Sequence, residues 1–105
     1  PVHQMTVDKL NELQKANAKF LLIDCRSEEE RKKACIQDSH LLTEELKTEV
    51  TKKDKDTMLV FHCHHGGRSQ KAAEHFSGLG FTNTHNVTGG IDAWSLEVDS
   101  KIPRY

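Results

Sequence analysis

This sequence predicts an α/β fold in which helices cover both faces of a parallel sheet. Three features carry that prediction. Two short apolar runs, "FLLID" (20–24) and "TMLVFH" (57–62), are continuous rather than alternating, as befits strands buried on both faces. Helical patterns headed by capping residues alternate with those runs. The two prolines, Pro1 and Pro103, stand at the ends, so no proline interrupts the alternation.

Taken in order, Thr6 caps a helix that carries Val7, Leu10 and Leu13 on one side. "FLLID" is the first buried strand. Ser27 and Glu30 have capping-box spacing, so "SEEERKKA" reads as a short helix. A polar passage follows, and Thr43 caps a second short helix, "EELKTEV". "TMLVFH" is the second buried strand. A helix then begins at Gly67 or Arg68 and runs to about Leu79, with Ala72, Ala73, Phe76 and Leu79 on one face. Gly80 suits its left-handed stop. "THNV" (84–87) is a short strand, and Gly90 introduces a last helix, "IDAWSLEV".

Bulk properties narrow the function classes. At 105 residues the chain fits one domain, 1–105, and at 35% hydrophobic it can build one modest core. Lys+Arg 15 against Asp+Glu 16 leaves a formal net charge of -1, so charge makes no case for nucleic acid or an anionic membrane. No apolar run approaches the roughly 18 residues of a membrane span. The N-terminal residues lack a basic-then-apolar signal pattern. Cys25, Cys35 and Cys63 are an odd number and not a disulfide framework, so a cytoplasmic location is expected.

The chemistry is concentrated in "CHHGGRS" (63–69), where the second buried strand ends. In parallel sheets, ligands sit beyond the carboxyl ends of the strands. A helix starting a few residues after Cys63 presents unpaired N–H groups and partial positive charge. Gly66 and Gly67 permit a tight curl, which turns those groups inward as an anion cradle. Arg68 adds a fixed charge and a flat fork of donors. Together these favour negative charge on the Cys63 sulfur and on any group attached to it. The design is that of a cysteine nucleophile acting on an anionic substrate, with a covalent intermediate and no cofactor. His64 and His65 are read as loop residues that lend backbone N–H groups. No second cluster of metal ligands accompanies them, so no metal is expected.

With these residues in view, the chain resembles the rhodanese sulfurtransferases. "CHHGGRS" is similar to their C-x-x-G-x-R-S loop, "LLIDCRSEEE" to their strand followed by D-x-R, and "GGIDAW" (89–94) to their late G-G-x-x-x-W segment. The resemblance implies a rhodanese-like, five-stranded parallel sheet with helices on both faces. It implies that Cys63 takes a sulfane sulfur from a small anionic donor such as thiosulfate and carries it as a persulfide. His64, His65, Gly66, Gly67, Arg68 and Ser69 would bind the substrate. The acceptor would be a thiol or a protein, of the thioredoxin or glutaredoxin type. Asp24 and Arg26 would hold the neighbouring loops together, and Trp94 would pack in the core or the pocket wall.

The sequence departs from that pattern after D-x-R. Arg31 replaces an aromatic residue, and "ACIQDS" replaces most of G-H-I-P-G-A, with only Ile36 kept from its core. Cys35 and Cys25 raise the question whether either resolves a Cys63 persulfide as a disulfide; for Cys25, burial is the simpler expectation. Two other functions use the same features. One is a catalytically silent binding module. The other is a phosphatase or arsenate reductase, although those loops are typically one residue longer.

Overall fold

The computed structural model describes residues 1–105. Its elements are β1 His3–Met5, α1 Val7–Lys15, β2 Leu21–Asp24, α2 Glu28–Lys33, β3 Ser39–Leu41, α3 Glu44–Thr51, β4 Leu59–His62, α4 Gly67–Gly78, β5 Thr84–Val87 and α5 Gly90–Glu97. The helices begin where the capping side chains stand. Thr6 Oγ1 accepts the Lys9 N–H at 3.1 Å, and Thr43 Oγ1 accepts the Leu46 N–H at 3.1 Å. Ser27 and Glu30 form the reciprocal pair, with the Glu30 N–H on Ser27 Oγ and the Ser27 N–H on Glu30 Oε1. Each cap satisfies an N–H that the helix itself cannot.

All five strands are parallel, in the order β1-β5-β4-β2-β3. β4 is therefore central, with β2 on one side and β5 on the other. Successive side chains along a strand point to opposite faces, and that alternation divides the core in two. Leu22 and Val60 join Leu10, Val87, Ile91 and Trp94 on one face. Ile23, Leu59 and Phe61 join Val50, Ala73, Phe76 and Phe81 on the other. Every residue of β4 is buried, which is why its sequence is continuously apolar up to His62.

Two strands escape the sequence reading. β1 and β3 have three residues each and lie at the two edges of the sheet. Each buries only one residue, Met5 or Ser39, so neither leaves an apolar run to detect. α4 also ends differently from the expectation. Leu79 is 43% exposed, and Phe81 takes its place in the core. The chain reverses at Gly80, with φ +103, and the Phe81 N–H bonds to the Phe76 carbonyl at 3.2 Å. This closure carries the next apolar residue, rather than the last helical one, back onto the sheet.

Candidate active site

The carboxyl end of β4 lies between the β2–α2 turn and the β5–α5 turn, and Cys63 sits there with 1% of its surface exposed. The loop after it closes on the sulfur. The Gly66 N–H lies 3.1 Å from Cys63 Sγ, the Ser69 N–H 3.4 Å and the Ser69 hydroxyl 3.3 Å. Burial alone would push the thiol pKa up. The Ser69 hydroxyl and the Ser69, Gly66 and His65 N–H groups outweigh it, so the thiol lies below its ordinary pKa. Donors aimed at the sulfur stabilise the thiolate, which is the nucleophilic form.

Two glycines permit this geometry. Gly66, at φ +113, occupies the N-cap of α4 and turns the loop over the sulfur. Gly90 has φ +58, and a Cβ there would meet the Cys63 carbonyl oxygen at 2.3 Å. That close approach lets α5 grip the loop from behind: the Ile91 N–H bonds to the Cys63 carbonyl at 2.9 Å and the Asp92 N–H to the His64 carbonyl at 3.2 Å. The "GGIDAW" motif thus meets "CHHGGRS" through backbone contacts. Gly67, expected to share in the curl, has ordinary helical geometry and nothing within 4 Å of a Cβ. The curl rests on Gly66.

Ser69 is fully buried and connects the sulfur to a chain of amides. Its Oγ lies 2.5 Å from Asn86 Oδ1. Asn86 Nδ2 donates to Gln4 Oε1 at 3.0 Å, and Gln4 Nε2 to Gln70 Oε1 at 2.7 Å. The network runs from the edge strand β1 to the sulfur. Neither Gln4 nor Asn86 carries a local sequence signal, because their partners are distant in the chain.

Arg68 does not reach into the loop. Its guanidinium is clasped by Glu30, with Nη1 on Oε1 at 2.7 Å and Nη2 on Oε2 at 3.0 Å. Its side chain is half exposed at the rim of the site, and Cys63 is among the charges that act on it. Arg68, working against burial, holds the Glu30 carboxyl well below the usual carboxylate range, with help from the Tyr105 hydroxyl and the Ser27 N–H. Tyr105 itself donates to Glu30 Oε2 at 2.6 Å and accepts from Arg26 Nη1 at 3.0 Å. Its ring stacks on His64, with centroids 4.1 Å apart and 8° between planes. A single tyrosine thus ties the loop to the β2–α2 turn. Nothing around Tyr105 in sequence foretells this.

Beneath that rim lies a buried ion pair. Asp24 is wholly buried and accepts from the Arg26 backbone N–H (3.0 Å), Nε (2.9 Å) and Nη2 (2.7 Å). Burial works to raise the Asp24 pKa, but these bonds and the neighbouring charges hold it below the ordinary value. Arg26 also donates to the Ala34 carbonyl at 2.8 Å. Arg31 explains the departure from the family pattern. It donates to Asp24 Oδ2 at 2.9 Å and to Ser39 Oγ at 2.9 Å, so a second cation fastens β3 to the end of β2. Ile36 keeps its place in the core at 1% exposure, and Cys35 is exposed.

The two loop histidines differ from each other. His64 is half-buried under Tyr105, while His65 is exposed with Nε2 3.7 Å from Asp92 Oδ2. The possible ligand atoms of His64, His65 and Asp92 lie within 4.8 Å of one another. The two imidazoles lie 4.0 Å apart, tilted by 33°, and Arg104 donates to both oxygens of Asp92 at 2.9 and 3.3 Å. That pairing balances the charge of Asp92 at the loop edge.

Comparison with known proteins agrees with this architecture. The rhodanese-like domain model matches residues 6–97. The thiosulfate sulfurtransferase GlpE of Pseudomonas savastanoi is 36% identical over 75 residues, covering 70% of this chain and 71% of that protein. YtwF of Bacillus subtilis is 32% identical over 101 residues, covering 95% and 97%. Some matches are to much larger proteins: the chain spans 12% of the Candida albicans adenylyltransferase and sulfurtransferase UBA4, at 45% identity over 51 residues, and 17% of an Arabidopsis thaliana rhodanese-like/PpiC domain-containing protein. The rhodanese-like domain protein of Staphylococcus aureus superposes with a TM-score of 0.78 at 23% identity, over 99% of both chains. A Thermoplasma volcanium rhodanese-related protein superposes at 0.73 with 29% identity, over 91% of this chain and 93% of that one. With the cysteine loop at the end of the central strand and the matched family spanning most of its length, the chain belongs to the rhodanese-like domain family.

Proposed function

We propose that this chain transfers a sulfane sulfur from an anionic donor such as thiosulfate to a thiophilic acceptor, through a persulfide on Cys63. The supporting observation is the pair of backbone N–H groups on Cys63 Sγ, from Gly66 at 3.1 Å and Ser69 at 3.4 Å, with the Ser69 hydroxyl beside them at 3.3 Å. They lower the cost of the thiolate before reaction. They also receive the charge of a persulfide afterwards, without reorganising. The relatives named as sulfurtransferases favour the same chemistry.

In the first step the Cys63 thiolate attacks the outer sulfur of thiosulfate. A sulfur–sulfur bond forms to Cys63 Sγ, the bond within thiosulfate breaks, and sulfite leaves with the electron pair. Arg68 at the rim offers the approaching dianion a positive charge tempered by Glu30. In the second step an acceptor thiolate attacks the outer sulfur of the persulfide and returns Cys63 to the thiolate. A free thiol or a protein thiol of the thioredoxin or glutaredoxin type fits that role. A reducing, cytoplasmic setting would keep Cys63 available for the cycle.

A stoichiometric experiment tests the first half. Reduced protein mixed with thiosulfate, without acceptor, is expected to release one sulfite per chain in a burst and then stop. Cys63→Ser is expected to release none. Equal sulfite release from the serine variant would remove Cys63 from the chemistry.

A further inference from the structure

β2 and β4 are neighbouring parallel strands, and their register pairs Ile23 with Phe61 and Asp24 with His62. One step further, the Cys25 N–H donates to the His62 carbonyl at 2.8 Å. The ladder therefore continues past the last paired residues and brings Cys25 beside Cys63. Both cysteines stand one residue past their strands; carried that one step further, the alternation gives Cys25 the face of Ile23 and Cys63 that of Phe61. Both of those residues lie in the core on the α4 side, against which Cys25 also packs. Neighbouring strands lie about 4.8 Å apart, inside the roughly 4.4–6.8 Å Cα separation that a disulfide spans.

The geometry points to Cys25 as a resolving thiol for Cys63, giving this chain a further activity: reduction of its bound sulfane sulfur to hydrosulfide, with formation of a Cys25–Cys63 disulfide. This rests on the persulfide reading above. The donors that would hold the outer sulfur stand on the β5 side of Cys63, since Ser69 bonds to Asn86 and Gly66 lies against Val87 and Gly89. Cys25 stands on the β2 side, opposite them across β4. An attacking sulfur has to approach Cys63 Sγ from the side away from the leaving sulfur, the side on which β2 and Cys25 lie.

The step balances without an added oxidant. Cys25 Sγ bonds to Cys63 Sγ, and the bond from Cys63 Sγ to the outer sulfur breaks. The outer sulfur leaves with the electron pair and takes the Cys25 proton, as hydrosulfide. It is reduced, and the two cysteine sulfurs are oxidised. An external thiol then reduces the disulfide to restart the cycle.

The surroundings of Cys25 make the step conditional. Burial first, and then the negative charge of Cys63, push its thiol far above the ordinary range. While Cys63 is a free thiolate, both restraints hold Cys25 in its protonated form. Loading Cys63 with sulfur moves that charge outward to the terminal atom and eases the smaller restraint, while burial continues to hold Cys25 protonated, so it enters the step as the thiol. Cys25 is half-buried, whereas Cys35 is exposed, so an external thiol reaches Cys35 more readily than Cys25.

The test uses the full, reduced chain with thiosulfate and no other thiol. Sulfide release is followed with intact mass, and unreduced peptide mapping locates any disulfide. Wild type and Cys35→Ser are expected to release sulfide and end with Cys25 joined to Cys63, each two hydrogen atoms lighter. Cys25→Ala and Cys25→Val are expected to hold the added sulfur and release sulfide at least about tenfold more slowly; two variants guard against a packing defect in one. Stable persulfide in wild type, with no disulfide and no sulfide, would overturn the resolving role and leave the transfer reading intact. A disulfide to Cys35 would also overturn it. No added sulfur in any chain, including the Cys25 variants, would overturn the persulfide reading and this inference with it.

Discussion

Glu30 grips both terminal nitrogens of Arg68, at 2.7 and 3.0 Å, across 38 positions of sequence. The cation that the loop sequence offers for anion binding is therefore held at the rim by a carboxylate from the first turn of α2. Arg68→Ala is expected to raise the KM for thiosulfate about tenfold, equivalent to roughly 1.4 kcal/mol, with kcat changed little. Glu30→Gln is expected to lower KM, because it removes the carboxylate that tempers the guanidinium, and the double variant to match Arg68→Ala. Steady-state kinetics on the four chains check this; additive effects would show that the pair does not act as a unit.

Tyr105 joins three parts of the site through one side chain. Tyr105→Phe keeps the ring stacked on His64 but removes the hydroxyl shared by Glu30 and Arg26. It is expected to cost about 1 kcal/mol of stability. The change would appear as a lower urea midpoint with an unaltered slope.

Alanine at three glycines should give three different outcomes. Gly90→Ala forces a Cβ against the Cys63 carbonyl at a left-handed backbone angle and is expected to cost about 3 kcal/mol or more. Gly66→Ala has room, with nothing closer than 3.6 Å, and is expected to cost about 1–2 kcal/mol from backbone strain alone. Gly67→Ala is expected to change stability by no more than about 0.5 kcal/mol. Melting curves rank them, and an equal loss at Gly67 would contradict the loop geometry.

His62 is wholly buried at the end of β4, and burial outweighs the nearby Asp24 carboxylate to bring its pKa from 6.5 down to about 4. The folded chain thus refuses a proton that the unfolded chain binds between those values. Stability is full above pH 6.5 and falls as pH drops toward about 4, by something on the order of 3 kcal/mol. Asp24 and Glu30, whose pKa values are depressed, act only below their own ordinary values. Urea titrations across this range should show the loss in wild type and flatten it in His62→Gln.

The parts of the molecule readable in sequence are those whose physics is local. Thr6, Ser27 and Thr43 announce helices because a cap bonds within its own first turn. β2, β4 and β5 are visible because burial on both faces, or a compact turn-bounded run, leaves a local pattern. β1 and β3 leave none, being edge strands with one buried residue each. The cysteine loop is legible because Cys63, Gly66 and Ser69 are contiguous with the helix that completes them. Its supports are not. Glu30, Asn86 and Tyr105 reach partners far away in the chain, over separations of up to 82 residues between Asn86 and Gln4. Leu79 and Phe81 show the same limit: helical spacing favours Leu79, but the turn at Gly80 decides which residue is buried.

Everything proposed for Cys63 depends on its carrying sulfur, so the most direct measurement is the intact mass of reduced protein after thiosulfate, with Cys63→Ser alongside. Transfer through a persulfide predicts one added sulfur atom, or the Cys25–Cys63 disulfide with released sulfide, in wild type only, and cyanide should remove the added atom. A folded, reduced wild-type chain that gains no sulfur and releases no sulfide would contradict it, and hydrolysis of a phosphate ester would become the next reaction to assay.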